Sequence, residues 1–344
     1  MRRIYFAAFV SLVLSLIFTK LQIKLSKKFG FIDVPKDQRR MHTDSVPTCG
    51  GFAMYFAIFI PYMILYKFTP RNTAILIGAT IIMLSGFYDD IHDLKPKYKV
   101  LFQLIAALVV YFLGNIRIMN IGNPFIDNNL LSLGLLSLPV TVFWIVGVTN
   151  IINLIDGLDG LASGIVFISS MTLAVVSVSY EQYSLTALAL CIGLSYLGFL
   201  KYNFAPAKIF MGDTGALMAG FMLSVVTIQG AMKAVAAIGI IVPIMILGLP
   251  VFDTTFAMIR RLLSGRSIAS ADKGHLHHRL LRKYSTKKTV LILYTISLIF
   301  SIFGILVMKL RNTVSVLLSG IIFMVIVFLA YKVGLFKDGE KWKR

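Results

Sequence analysis

The chain is poor in cysteine, in acidic residues and in charge of either sign. Its 344 residues include two cysteines, 15 aspartates and glutamates, and only 14% charged side chains in all. Cys49 and Cys191 lie in different segments with no disulfide spacing, so a disulfide framework is excluded and two packing thiols are expected. A soluble fold is excluded as well. Hydrophobic residues make up 58% of the chain and mean hydropathy is +0.83, more apolar surface than a soluble core of this size needs. Residues 1–20 resemble a signal peptide, but no small-x-small cleavage site follows and basic sequence comes next. That segment is read as a first, retained span.

What is present instead is a series of apolar runs of the length a bilayer-crossing helix requires, about 17–25 residues. They fall at 4–20, 50–66, 72–88, 100–114, 136–149, 160–179, 184–200, 214–229, 234–258, 289–308 and 313–333. The expected fold is therefore an all-α polytopic membrane protein of about eleven transmembrane helices, a single domain over 1–344. Connecting segments then alternate sides. One set (20–47, 89–99, 150–160, 201–212, 260–288 and the tail from 335) holds 25 of the 34 lysines and arginines, against eight for the other set. The positive-inside rule places the first set in the cytoplasm, the N-terminus outside and the C-terminus inside. This distribution also accounts for the net charge of +19 without nucleic acid as a partner.

The acids follow the same division. Only Asp127 and Glu181 lie in the outer set, so the polar clusters converge on one face, in the loops 20–47, 89–99, 150–160, 201–212 and 260–288. In FYDDIHDL (87–94), Asp89 and Asp90 are adjacent at a span end. Carboxylates beside hydrocarbon are costly and usually functional. Two neighbours repel unless a cation or a shared proton relieves them, although a solvated cap facing the lysines of KPKYK is the plainer alternative. NIINLIDGLDGLASG (150–164) sets Asn150, Asn153 and Gly157 at helical spacing, with Asp156 and Asp159 drifting around that face. Amide and carboxylate oxygens with no soft ligand suit Mg²⁺ rather than zinc, while Asp-Gly pairs also read simply as a turn between spans.

Two further stretches share the face. KYNFAPAKIFMGDTGALMAG (201–220) puts Asp213 at the start of a span, where helix N–H groups favour anions and where an N-cap aspartate is the simpler use. ADKGHLHHRLLRKY (271–284) gathers His275, His277 and His278 with Lys273, Arg279 and Arg282 in the longest, most basic inner loop. No Cys or Glu completes a zinc site, so the cluster reads as a diphosphate clamp or as a basic helix on anionic lipid. The ninth span carries Pro243, Pro250 and an intramembrane Asp253, and the prolines should bend or break it, opening a lateral groove. The first inner loop gathers Arg39, Arg40 and His42 near Gly50 and Gly51. Carboxylates and amides for a divalent cation, with Lys, Arg and His for phosphate, fit metal-assisted phosphoryl transfer with a lipid substrate.

FYDD, NIINLIDGLDGLASG, YNFAPAKIFMGDTG and HLHHRL, in that order, resemble the polyprenyl-phosphate N-acetylhexosamine-1-phosphate transferases, over about residues 30–290. HLHHRL and the RRMH…VPTCGG loop resemble the TagO/WecA branch, and the differently flanked histidine run of the MraY branch is absent. The resemblance implies transfer of GlcNAc-1-phosphate from UDP-GlcNAc to undecaprenyl phosphate with Mg²⁺ (Mn²⁺ as a substitute), in a bacterial plasma membrane. It further implies Asn153 and Asp213 as metal ligands and Asp89 and Asp90 as the catalytic pair. Lys99 matches the lysine near the carrier phosphate. Asp156 and Asp159 match positions in the nucleotide-sugar site, and His275, His277 and His278 match the diphosphate-contacting loop; Arg279, Arg40, His42 and Asp253 are also expected to bind substrate. The bilayer is the expected setting, and a homodimer is compatible with this reading. The rival readings are an MraY-type transferase, an intramembrane prenyltransferase, and a transporter, which should show inverted repeats and mid-membrane polar residues that this chain lacks.

Overall fold

The computed structural model describes residues 1–33, 45–122, 130–230, 239–267, 274–310, 312–332 and 334–335. Arg39, Arg40, His42 and Lys273 lie outside the described residues. The chain divides into two compact units, Met1–Met119 with Leu133–Lys233, and Asn120–Ser132 with Ala234–Arg344.

The first unit is a helical bundle of α1 (Arg2–Phe29), α2 (Gly51–Leu65), α3 (Pro70–His92), α4 (Pro96–Phe112), α5 (Ser137–Ile155), α6 (Leu161–Ser179), α7 (Tyr183–Asn203) and α8 (Gly212–Gln229). Local signals set the helix ends. Thr69 caps α3 by accepting from the Asn72 N–H, Pro70 and Pro96 open α3 and α4, and Gly30 ends α1 in the left-handed region at φ 75°. Every residue of α8 from Thr214 to Gln229 is buried, which is why its sequence is apolar on all sides rather than on one stripe. Helices α2, α3, α5, α6 and α7 all pack against it.

Close approach to α8 depends on small residues. A Cβ on Gly86 of α3 would lie 2.5 Å from the Asp213 carbonyl oxygen, so only glycine lets α3 reach the start of α8. Elsewhere hydroxyls join the helices. Ser11 of α1 donates to the carbonyls of Ala57 (2.7 Å) and Cys191 (2.8 Å), and Ser15 to that of Ser195 (2.6 Å). Without water, a buried hydroxyl needs such a partner.

A short antiparallel pair, β1 (Ile32–Asp33) with β2 (Val46–Pro47), leads into α2. The β2–α2 segment then zips to the strand-like run before α8. Phe210 donates to the Pro47 carbonyl, and Gly50 and Gly51 donate to those of Phe210 and Met211. The loop VPTCGG thus braces the loop IFMGD.

The second unit holds a hairpin of β3 (Asn120–Gly122) and β4 (Leu130–Ser132), then α9 (Ile241–Ile246), α10 (Gly248–Leu263), α11 (Leu276–Leu281), α12 (Thr286–Met308) and α13 (Asn312–Lys332). The expected ninth span is two helices meeting at Leu247, and each proline falls in the first turn of one of them, Pro243 in α9 and Pro250 in α10. The missing N–H costs least there.

Seven helices among the described residues are long and apolar enough to cross a membrane, and Gly51–Leu65 is a shorter apolar helix. The protein is an all-α, multi-pass membrane protein.

Candidate active site

The first unit brings four of the expected site residues into one hydrogen-bonded group. Lys99, one turn into α4, pairs its Nζ with Asp89 Oδ2 and stands 2.7 Å from Asp213 Oδ2. Asn153, near the end of α5, donates from Nδ2 to the other Asp213 oxygen at 2.9 Å. Asp89 is 7% exposed, and its Oδ1 accepts the Leu94 N–H at 2.6 Å, closing the turn after α3 where Asp93 takes φ 51°. Two carboxylates from α3 and α8 therefore share one ammonium.

Asp90 points elsewhere. Its Oδ1 accepts the Asp213 N–H at 2.7 Å, and its Oδ2 accepts the Thr214 N–H at 3.2 Å and the Thr214 hydroxyl. Cys49, wholly buried, also lies against this carboxylate, and burial first and then Asp90 push its thiol pKa up. The adjacent pair in the sequence thus faces two different partners.

Within 150–164 the residues separate. Asn150 exchanges amide hydrogen bonds with the fully buried Gln103 of α4 (Nδ2 to Oε1 at 2.7 Å, Nε2 to Oδ1 at 3.3 Å). It is an interhelical lock and takes no part in the carboxylate group. Asp159 accepts the Ala207 N–H at 2.9 Å, tying the α5–α6 connection to the NFAPAK loop. Ser163 and Asn203 strengthen the same tie, with the Ser163 hydroxyl donating to Asn203 Oδ1 at 2.7 Å and Asn203 Nδ2 donating to the Ile209 carbonyl at 3.0 Å. Asp156, just past α5, accumulates negative neighbours. Burial first, then Asp213, Asp90 and Asp159, push its carboxyl up to about 8.

The donor set around Asp213 fits a hard divalent cation. It offers carboxylate oxygens from two helices and an amide whose oxygen and nitrogen exchange by a half-turn of the side chain. Among the described residues no group of three or more His, Cys, Asp or Glu is arranged as a metal cage. Mg²⁺ does not require one, because it takes one or two carboxylates and completes its shell with water and phosphate oxygens.

In the second unit, Asp253 of α10 binds the start of α11 with both oxygens. Its Oδ2 lies 2.9 Å from His275 Nδ1, and its Oδ1 accepts the Leu276 N–H at 2.8 Å. Both oxygens of this carboxylate, an expected substrate-binding residue, are thus engaged by the histidine motif. The rings of His275 and His277 stack at 5.6 Å, and His278 lies 4.2 Å from His277. His277 is 3% exposed, and its Nδ1 has no partner among the described residues. Burial first, then His278, hold its pKa down at about 3. Arg279 donates to the carbonyls of Gly274 (2.9 Å) and Gly334 (2.8 Å), holding the motif by its backbone.

Residues 72–231 match the family model described as glycosyl transferase family 4. The chain is 42% identical over 331 residues to the probable undecaprenyl-phosphate N-acetylglucosaminyl 1-phosphate transferase of Bacillus subtilis (strain 168), covering 96% of this chain and 91% of that protein. The chain belongs to the polyprenyl-phosphate N-acetylglucosamine-1-phosphate transferase family. It is also 31% identical over 305 residues to the decaprenyl-phosphate N-acetylglucosaminephosphotransferase of Mycolicibacterium smegmatis, covering 78% of this chain and 73% of that one. With the undecaprenyl-phosphate alpha-N-acetylglucosaminyl 1-phosphate transferase of Thermotoga maritima it shares 30% over 298 residues, covering 85% and 87%.

Several partners of these residues are not evident in the sequence. Thr214 is hidden inside GDTG as an ordinary helix residue, and Cys49 was read only as a packing thiol. Gln103 carries the one signal that was available, an amide in the middle of an apolar run, PKYKVLFQLIAALVV.

Proposed function

We propose that this transferase moves GlcNAc-1-phosphate from UDP-GlcNAc to undecaprenyl phosphate, giving GlcNAc-diphospho-undecaprenol and UMP, with Mg²⁺. The observation that carries the reading is the Asp89–Lys99–Asp213–Asn153 group, in a chain whose 42%-identical relative is named a probable undecaprenyl-phosphate N-acetylglucosaminyl 1-phosphate transferase. The setting we assign is a bacterial plasma membrane. The chain crosses it eleven times, N-terminus outside, with the carboxylate group at the cytoplasmic face beside the excess of basic loops.

A phosphate oxygen of the carrier attacks the β-phosphorus in line. The new oxygen–phosphorus bond forms as the bridging bond to the α-phosphate breaks, and UMP departs with that oxygen. A lipid phosphate is already an anion at neutral pH, its second pKa ~6 by analogy with phosphoserine, so positioning contributes more than base catalysis. Lys99 holds the carrier phosphate and keeps Asp89 and Asp213 apart in charge. Asn153 and Asp213 would hold Mg²⁺, and a bound divalent cation would supply neutralisation of the charge developing on the diphosphate. In the second unit His275, His278 and Arg279 are assigned to the nucleotide-sugar diphosphate on the motif resemblance.

The test uses purified full-length protein with Mg²⁺, undecaprenyl phosphate and a panel of UDP-sugars, following UMP. Release of UMP with UDP-GlcNAc alone among the panel supports the reading. Release only with UDP-MurNAc-pentapeptide, or of inorganic diphosphate in place of UMP, overturns it. A sugar-phosphate adduct on Asp89 or Asp156 formed from donor before lipid is added would replace direct attack with a covalent route.

A further inference from the structure

The two aspartates of FYDD are adjacent, yet their carboxylates do different work. Asp90 is the cap of a helix it does not belong to. Helix α8 has no local side-chain cap, and Met211 at its N-cap position supplies none. The orphan N–H groups of its first turn are met from α3: Asp213 N–H to Asp90 Oδ1 at 2.7 Å and Thr214 N–H to Asp90 Oδ2 at 3.2 Å, with the Thr214 hydroxyl on the same oxygen. Capping partners usually sit within a turn of the helix they cap; these lie 123 and 124 residues away.

The backbone is built around this carboxylate. Gly212 takes φ +68°, and a Cβ there would run into both Asp90 oxygens, so glycine is required twice over at that position. Both Asp90 oxygens are thus engaged by α8, Oδ1 by the Asp213 N–H and Oδ2 by Thr214. Asp213 in turn presents its own carboxylate to Lys99 and Asn153. Asp89 lacks this arrangement, since its Oδ2 meets Lys99 directly.

We propose that Asp90 is a positioning residue, which fixes the Asp213 carboxylate by holding the first turn of α8, and that the paired aspartates divide into one that faces the reacting groups and one that does not. This inference rests on the metal reading of Asp213 above. Removing an outer partner of a metal ligand costs about 10–100-fold in metal affinity.

The experiment is Mn²⁺ binding to the full chain in detergent, followed by electron paramagnetic resonance with Mg²⁺ as competitor and no sugar nucleotide. Asp90→Asn should weaken binding about 10–100-fold. Thr214→Val, which removes only the hydroxyl donor, should weaken it up to about tenfold, and Thr214→Ser should restore it. The double variant Asp90→Asn/Thr214→Val should bind no more weakly than Asp90→Asn alone, because the hydroxyl is proposed to act on Asp213 through that carboxylate. A purely structural role would lower the unfolding midpoint and leave metal affinity unchanged, and that result overturns the proposal, as does multiplication of the two losses. If Asp90→Asn fails to fold, Thr214→Val against Thr214→Ser decides, and equal affinity for the two refutes it. Asp213→Asn separates the two readings. Loss of binding there with none in Asp90→Asn overturns positioning alone, whereas unchanged binding in Asp213→Asn overturns the metal reading and the positioning with it.

Discussion

Lys99 and Asp213 lie 114 residues apart in the chain and 2.7 Å apart in the fold, ammonium nitrogen to carboxylate oxygen. The same ammonium meets Asp89, so removing it leaves two acids facing each other across α3 and α8. Lys99→Met should destabilise the protein by about 1–3 kcal/mol, toward the low side of a broken buried pair because the lysine is 28% exposed. Turnover should fall about 100-fold or more. Thermal unfolding in detergent together with UMP release checks both, and a variant as stable and active as the parent would contradict the shared-ammonium account.

Gly86→Ala tests the joint between α3 and α8. The added methyl would stand 2.5 Å from a backbone carbonyl oxygen rather than from a flexible side chain. The backbone must therefore move, at a cost of about 1–3 kcal/mol. The unfolding midpoint should drop, and metal affinity with it because the displaced carbonyl belongs to Asp213.

His277 gives the protein an acid-sensitive element. Its folded pKa is held at about 3 against an ordinary 6.5, so between those values the unfolded chain binds the proton and the folded one does not. Stability is complete above about 6.5 and declines as pH falls toward 3. From pH 7 to pH 5 the loss from this side chain is about 2 kcal/mol. His277→Gln should flatten that slope in unfolding measurements, and a variant with the parental slope would assign the acid sensitivity elsewhere.

Asp156 acts at the other end of the scale. With its folded pKa pushed up to about 8, the folded state keeps a proton that the unfolded state has released. Stability therefore declines as pH rises from the ordinary carboxylate range through about 8. Between pH 7 and pH 9 the change is about 1 kcal/mol. Asp156→Asn, permanently neutral, should lose that alkaline decline, and unfolding midpoints at pH 7 and pH 9 are the comparison to make.

Residues that stand out against oil were legible in the sequence. Asp89, Asp90, Asn153 and Asp213 are polar side chains in apolar surroundings, and three of the four meet around Lys99. Pro243 and Pro250 are visible as well, and they fall in the first turns of α9 and α10 on either side of Leu247. What stayed hidden was partnership across long separations. Nothing in NIINLIDGLDG says that Asn150 pairs with Gln103, since a cross-helix amide pair depends on which helices become neighbours. Nor does it show that Asp159 accepts the Ala207 N–H, from a loop 48 residues on. Asp90 reads as half of a pair for the same reason: adjacency in sequence is visible, and the direction of a side chain leaving a helix end is not.

The hydroxyls of α1 have a consequence for how the bundle is assembled. Ser15 finds its acceptor on Ser195, 180 residues later in the chain, and Ser11 needs Cys191 as well as Ala57. During synthesis at about 5–20 residues per second, α7 reaches the bilayer roughly 10–40 s after α1. The first helix inserted is therefore one of the last to be fastened. Until α7 arrives, the described ties of α1 are to α2 and to the segment before it, where Ser26 donates to the Thr48 carbonyl, a ribosome-paced interval in which the nascent bundle is open on the side that α7 will close.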